Sequence, residues 1–244
     1  MRSFWKIVNE VIKESDIILE ILDSRFIEQT RNKEIEDKVR AENKQLIYVI
    51  NKCDLVDKEL LERKKKILKP SVFVSAMRHQ GTSILLRTIL QFVDKKKERV
   101  IIGVVGYPNT GKSSVINALK GRASASVSPI GGHTKGRQLV KITKQVYLMD
   151  TPGVYPYMEK DQTKHALISS VDFNKVKDPI GIVYKLYDAF REILEEHFKI
   201  KTEDAEDFLE KVASKLNLLK KGNQPDIDRA ARAVLKDWQH GKLK

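Results

Sequence analysis

Gly106-Tyr107-Pro108-Asn109-Thr110-Gly111-Lys112-Ser113 stands between a β-branched run at 100–105 and a stretch of helical periodicity at 112–120. The segment fits the pattern GxxxxGK[ST], and a strand before it with a helix behind it is the setting that pattern requires. Glycines let successive backbone N–H groups converge on phosphate oxygens, and the helix N-terminus adds the positive end of its dipole. Lys112 can reach the β and γ phosphates, while the Ser113 hydroxyl can ligate Mg²⁺. The stretch predicts a phosphate cradle made by Asn109, Thr110, Gly111, Lys112, Ser113 and Ser114.

Downstream, Asp150-Thr151-Pro152-Gly153 closes the apolar run 145–149. A carboxylate there can hold Mg²⁺ through water, and the Gly153 N–H can sense the γ-phosphate. Asp-x-Pro-Gly is also an ordinary turn, but its place behind a phosphate loop favours the nucleotide reading. Between the two lies Pro129-Ile130-Gly131-Gly132-His133-Thr134-Lys135-Gly136, in which Thr134 is expected to close over Mg²⁺. His133 reads as a loop histidine rather than a base. Lys112, Thr134 and Gly153 form the expected catalytic set; Ser113, Thr134 and Asp150 form the expected metal set.

Upstream, Asn51-Lys52-Cys53-Asp54 follows the apolar run 46–50. Asp54 can accept two parallel hydrogen bonds from guanine N1–H and the exocyclic amine, a donor pair that adenine lacks. Ser75-Ala76, at the end of the run 71–75, is expected to offer backbone N–H to the base oxygen. Taken alone, the Asn-Lys-x-Asp stretch could equally cap a helix at 57–68. A competing Asn174-Lys175-Val176-Lys177 ends in lysine and lies too soon after Asp150 for the intervening strands and helices. The guanine motifs therefore precede the phosphate loop, the reverse of the usual order. GTP or GDP with Mg²⁺ is the expected ligand.

The formal charge is +13 over 244 residues, and residues 1–165 carry 31 Lys and Arg against 19 Asp and Glu. Such an excess favours a polyanionic partner, although a solvated basic surface has the same composition. No apolar run approaches the length of a membrane span. The first residues hold polar groups where a signal peptide has its apolar core. Cys53 is the single cysteine, so no internal disulfide forms. A cytoplasmic protein without membrane contact is expected.

Strand runs at 16–22, 46–50, 71–75, 100–105, 138–143 and 145–149 alternate with helical patterns at 3–14, 32–42, 57–68, 82–94 and 112–120. Alternation of this kind predicts a mostly parallel sheet covered by helices. Beyond Asp178 only helical periodicity remains, at 179–198, 203–216 and 226–239. The expectation is an α/β nucleotide domain over 1–165 and a small all-helical domain over 178–244. Lys220, Lys221, Arg229, Arg232 and Lys236 mark an electropositive end as a candidate RNA face.

With this motif order, the sequence resembles the circularly permuted GTPase family, whose members include bacterial and nucleolar ribosome-assembly GTPases. The carriers are Asn51 to Asp54, Ser75-Ala76, Gly106 to Ser114, Thr134 and Asp150 to Gly153. The stretches Asp23-Ser24-Arg25 and Thr30-Arg31-Asn32 and the terminal 226–232 and 237–242 add to them. The resemblance implies a circularly permuted P-loop GTPase that assists assembly of the large ribosomal subunit or its precursor, contacts rRNA, and is monomeric off the particle. Asn109 matches the asparagine that helps hold K⁺ in potassium-stimulated relatives. The bacterial branch carries an N-terminal histidine stretch, whereas here no histidine precedes His79, so that branch's catalytic proposal does not transfer. Val154 follows Gly153 where many GTPases place a water-orienting glutamine, so slow unaided hydrolysis is expected. A guanine-nucleotide sensor with little turnover and a nucleotide-dependent partner in RNA modification are the alternatives.

Overall fold

A computed structural model of the chain describes residues 2–57, 59, 61–62, 68–123, 139–156, 159, 161–169 and 171–243. It divides into two compact units, 1–160 and 161–244. The first is built on six strands: β1 Ile17–Asp23, β2 Gln45–Asn51, β3 Ser71–Phe73, β4 Val100–Val105, β5 Leu139–Lys141 and β6 Val146–Asp150. Their order is β3-β2-β1-β4-β6-β5, parallel throughout except for the β5–β6 pair.

Helices cover both faces: α1 Arg2–Glu14, α2 Lys33–Ala41, α3 Thr82–Gln91 and α4 Lys112–Ala123. On one face Ile17, Leu19 and Ile21 of β1 share a core with Leu85 and Ile89 of α3 and Val115, Ile116 and Leu119 of α4. On the other face Ile18 packs with Val8 and Ile12 of α1 and Ile35 and Val39 of α2. A strand buried on both faces has no solvent side to mark with polar residues. That is why β1 is buried at every position, and why the two carboxylates it carries, Glu20 and Asp23, must find partners inside.

From β1 the chain steps outward to β2 and β3, then returns to β4 on the opposite side of β1. The strand order thus reverses between β1 and β4. Outside the carboxyl ends of strands at such a switch point, doubly wound sheets bind their ligands. The mostly parallel sheet expected from the alternating runs is present, with β5 as its antiparallel edge. The helix expected over 57–68 falls largely outside the described residues.

The second unit consists of α5 Gln162–Leu167, α6 Pro179–Phe198, α7 Ala205–Lys215 and α8 Ile227–Gln239. Asp178, Asp204 and Asp226 cap α6, α7 and α8 by accepting from backbone N–H groups of their first turns. The short α5 was not anticipated, because six residues are too few to display a helical period. Arg232, one of the cations of the expected RNA face, is partly buried and donates to Asp228 at 2.8 Å and to the carbonyls of Phe173 and Asn174 at 3.1 Å. Gln239 and Trp238 likewise donate to Val171 O and Leu167 O. The polar side chains of α8 thereby hold Leu167, Val171 and the stretch 173–176. Among the described residues no helix is long and apolar enough to cross a membrane.

Candidate nucleotide-binding site

At the end of β4 the loop 106–111 turns into α4. Gly111 has φ 95°, and a Cβ there would stand 2.3 Å from Asn51 Nδ2, so only glycine fits the turn. Thr110 is buried and its Oγ1 donates to Tyr107 O at 2.9 Å, closing the loop on itself. Asn109, with φ 60°, is exposed at the outer bend. Ser113 and Ser114 are exposed on the first turn of α4. Lys112 is buried, donating to Tyr107 O at 2.8 Å and Gly106 O at 3.2 Å. Burial pulls its ammonium down to about 8, against the opposing Asp150 carboxylate. A desolvated ammonium at the N-terminus of a helix gains strongly from an anion.

From the neighbouring strand β6, Asp150 reaches the same point. Its Oδ2 accepts from Ser113 Oγ at 3.2 Å, and its Oδ1 is buried without a hydrogen-bond partner among the described residues. A hydroxyl and a carboxylate with a spare buried oxygen form a hard donor set of the kind Mg²⁺ takes, with water completing the coordination. Thr134, the third expected metal ligand, lies outside the described residues. Thr151 anchors the following turn by donating to Val104 O at 2.6 Å. Gly153 then crosses directly above Pro108 and Lys112. Val154 is buried among Trp5, Val8, Ile12, Ile18, Ile35, Val39 and Val105, and its N–H bonds Gly106 O at 3.3 Å. An apolar side chain turned into the core cannot orient a water.

On the other side of β1, β2 carries the guanine motif. Asn51 is buried and bridges the two halves of the site: Nδ2 donates to Thr110 O at 2.9 Å, and Oδ1 accepts the Ala76 N–H at 3.1 Å. Ser75 N–H donates to Gln80 O at 3.1 Å. The two amides expected to face the base oxygen are bonded within the protein, Ala76 N–H to Asn51 and Ser75 N–H across the turn 76–79 to Gln80. Cys53 is half-buried, its N–H bonded to Val74 O at 3.2 Å. Burial pushes its thiol up, and the Asp54 charge adds to this. Asp54 pairs with Arg78, Nε to Oδ2 3.3 Å, at the open end of the motif.

Several contributors escape motif reading. Tyr107 is fully buried beneath the loop, donates to Glu159 at 2.9 Å and meets Tyr155 edge-on at 5.8 Å. Trp5 Nε1 donates to Tyr155 O at 2.9 Å, so α1 braces the chain that leaves Gly153. Arg78 occupies the expected base-reading carboxylate. Lys52 is held by Asp23 and Ser24 from the end of β1. The signal for the last contact was available only as register, since Asp23 lies opposite Asn51 in the β1–β2 pair.

Two family models match the chain: one described as RsgA GTPase over residues 18–158, and one described as 50S ribosome-binding GTPase over 101–221. An uncharacterized GTP-binding protein of Methanocaldococcus jannaschii is 42% identical, covering 98% of this chain and 65% of that protein. The nucleolar GTP-binding protein 2 of Neurospora crassa is 34% identical, covering 99% of this chain and 41% of that protein. The chain thus spans less than two thirds of the length of either relative. The GDP-bound structure of TM YlqF superposes with a TM-score of 0.71 at 26% identity, covering 97% of this chain and 95% of that one. Guanine motifs ahead of the phosphate loop, a sheet that reverses between β1 and β4, and these matches agree: the chain belongs to the RsgA-type, circularly permuted GTPase family.

Proposed function

We propose that this protein binds GTP and GDP with Mg²⁺, hydrolyses GTP slowly when alone, and serves as an assembly factor for the large ribosomal subunit. The observation that carries the nucleotide reading is the meeting of three strand ends at one place. Ser113 and Asp150 approach to 3.2 Å beside the desolvated Lys112, and Asn51 ties the phosphate loop to the guanine motif. In this reading Asn51, Lys52, Cys53 and Asp54, framed by Ser75 and Ala76, take the base. Asn109, Thr110, Gly111, Lys112, Ser113, Ser114 and Gly153 take the phosphates. Ser113, Thr134 and Asp150 hold Mg²⁺. Lys112 stabilises charge that develops on the transferred phosphoryl group, and Gly153 N–H reports its presence. Asn109 helps to hold a K⁺ ion there.

The ribosomal role is supported by the nucleolar relatives and by the description of the matched family. The basic balance of the chain agrees with an RNA partner. The test is co-sedimentation with purified large subunits in GTP-analogue and GDP, together with phosphate release in KCl and in NaCl. Binding that depends on the nucleotide, with faster release in KCl, is expected. Absence of binding to subunits in both nucleotide states would remove the ribosomal part. A second reading, a guanine-nucleotide sensor with little turnover, is favoured by the burial of Val154, which leaves that position without a water-orienting group. Multiple-turnover phosphate release separates the two.

A further inference from the structure

We infer that Asp23 and Ser24 are positioning residues for guanine recognition: from the end of β1 they grip the two ends of Lys52 and so determine where Asp54 stands. The inference rests on the guanine-nucleotide reading of the site and adds to it two residues outside its nucleotide motifs.

Lys52 adopts a left-handed backbone, φ 60° and ψ 30°. A residue with a Cβ is disfavoured there and stays only when its surroundings hold it. Two contacts do so. Ser24 Oγ donates to Lys52 O at 2.7 Å, and Lys52 Nζ donates to Asp23 Oδ2 at 2.7 Å. Backbone and side-chain tip are therefore fixed from consecutive residues of one neighbouring strand end.

The clamp is itself rigid. Asp23 is fully buried and also accepts from Arg25, through its backbone N at 3.1 Å, Nε at 3.0 Å and Nη2 at 2.9 Å. Burial alone would raise this carboxyl; Arg25 and Lys52 outweigh it and hold the group down at about 2. Thr30 Oγ1 accepts the Asp23 N–H at 3.1 Å and braces the turn from behind. β1 is the strand next to the switch point, paired on both sides, with Asp23 opposite Asn51.

Immediately after Lys52, Cys53 N–H bonds Val74 O and the chain enters the short turn 53–55 that carries Asp54. A carboxylate that must meet two guanine donors at once loses both when it is displaced. The phosphate loop and Asp150 come from β4 and β6, and the hydrogen bonds of Asp23 and Ser24 to Lys52 reach neither of them. The clamp therefore serves reading of the base, separately from the grip on phosphate and metal.

The experiment is calorimetric binding of GDP, inosine diphosphate and ADP, with Mg²⁺, to the full chain and to D23N, S24A, K52M and the D23N/K52M double variant. Preference of the unmutated chain for GDP over ADP decides the site reading before any variant is compared. Inosine diphosphate lacks the exocyclic amine, so its affinity relative to GDP reports the alignment of Asp54. D23N and S24A are expected to weaken GDP about tenfold or more and to shrink the GDP to inosine diphosphate ratio. In the K52M background D23N is expected to add less than about threefold. The inference is overturned if folded S24A and D23N bind GDP as the unmutated chain does, or if all three nucleotides weaken equally. It is also overturned if D23N costs as much without Lys52 as with it. Should D23N fail to fold, S24A, which leaves every charge in place, decides the matter.

Discussion

Gly153 lies so close over the phosphate loop that a Cβ on it would stand 2.6 Å from Pro108 Cα, 2.7 Å from Pro108 N and 3.0 Å from Lys112 Nζ. Two backbone segments from β4 and β6 touch at this point, and the side-chain end that could yield is the Lys112 ammonium itself. Gly153→Ala should push the loop and Lys112 off their positions, with an overpacking cost of about 1–3 kcal/mol. Phosphate release at saturating GTP is expected to fall at least about tenfold, more than GDP affinity does. Hydrolysis and thermal stability both unchanged would show that the contact has no role.

Asp150 and Ser113 should act as one Mg²⁺ site. Ser113→Ala and Asp150→Asn are each expected to bring nucleotide affinity in Mg²⁺ down to the value measured in a chelator, with little effect on the affinity in chelator. Fluorescent-GDP titration across Mg²⁺ concentrations checks this. A variant that keeps the full Mg²⁺ dependence would take its residue out of the metal site.

The pairing of Asp54 with Arg78 creates opposite expectations for its two members. Asp54→Asn should weaken GDP by about 1.5–3 kcal/mol, since it removes charge-assisted hydrogen bonds to the base. Arg78→Ala frees the carboxylate from a half-exposed partner, and GDP should bind equally well or up to about fivefold tighter at low salt. Calorimetry with GDP and ATP reads both. ATP binding as tightly as GTP to the unmutated chain would end the guanine assignment.

Glu20 gives the fold a dependence on pH. Its carboxyl is fully buried on β1; Oε1 accepts Asn32 N–H at 2.7 Å and Oε2 has no partner among the described residues. Burial, opposed by the Asn32 bond and the Arg31 charge and reinforced by Glu36, raises it to about 8 from an ordinary 4.5. The folded protein therefore keeps a proton that the unfolded chain releases above pH 4.5. This contribution is fully present below pH 4.5 and is lost as pH rises towards 8, by at most about 1.4 kcal/mol per pH unit. Glu20→Gln should flatten the melting-temperature profile between pH 5 and 8 and melt higher than the parent at pH 8. Parallel profiles would count against a protonated Glu20.

Within the helical unit the two arginines of α8 should separate into different roles. Arg232→Ala deletes the donor to three loop carbonyls, at Phe173, Asn174 and Val176, and should destabilise the unit by about 1–3 kcal/mol. Arg229 and Lys236 are exposed. Their reversal to glutamate should leave melting unchanged, weaken RNA binding and reduce its salt dependence by roughly one unit of slope per contact. RNA affinity indifferent to both reversals would move the RNA face elsewhere.

Where local backbone chemistry sets the fold, the sequence was legible. A glycine-bearing loop between a β-branched run and a helical run can turn only one way. A carboxylate at the end of an apolar strand must likewise emerge at the sheet's edge. The permuted order of these segments was legible because it is a property of the chain and not of its packing, and so were the parallel sheet and the helical tail. Tertiary structure decided the rest, because it depends on which strand end lies next to which. Nothing in the order of residues says that Asp23 and Ser24 will meet Lys52, that Arg78 will cover Asp54, or that Ala76 will spend its amide on Asn51. Likewise Arg232 reads as a free cation until the carbonyls of 173–176 are brought beneath it. Charge and hydrogen-bonding capacity are written in the sequence, but their partners are assigned only when burial makes an unpaired group too costly to leave.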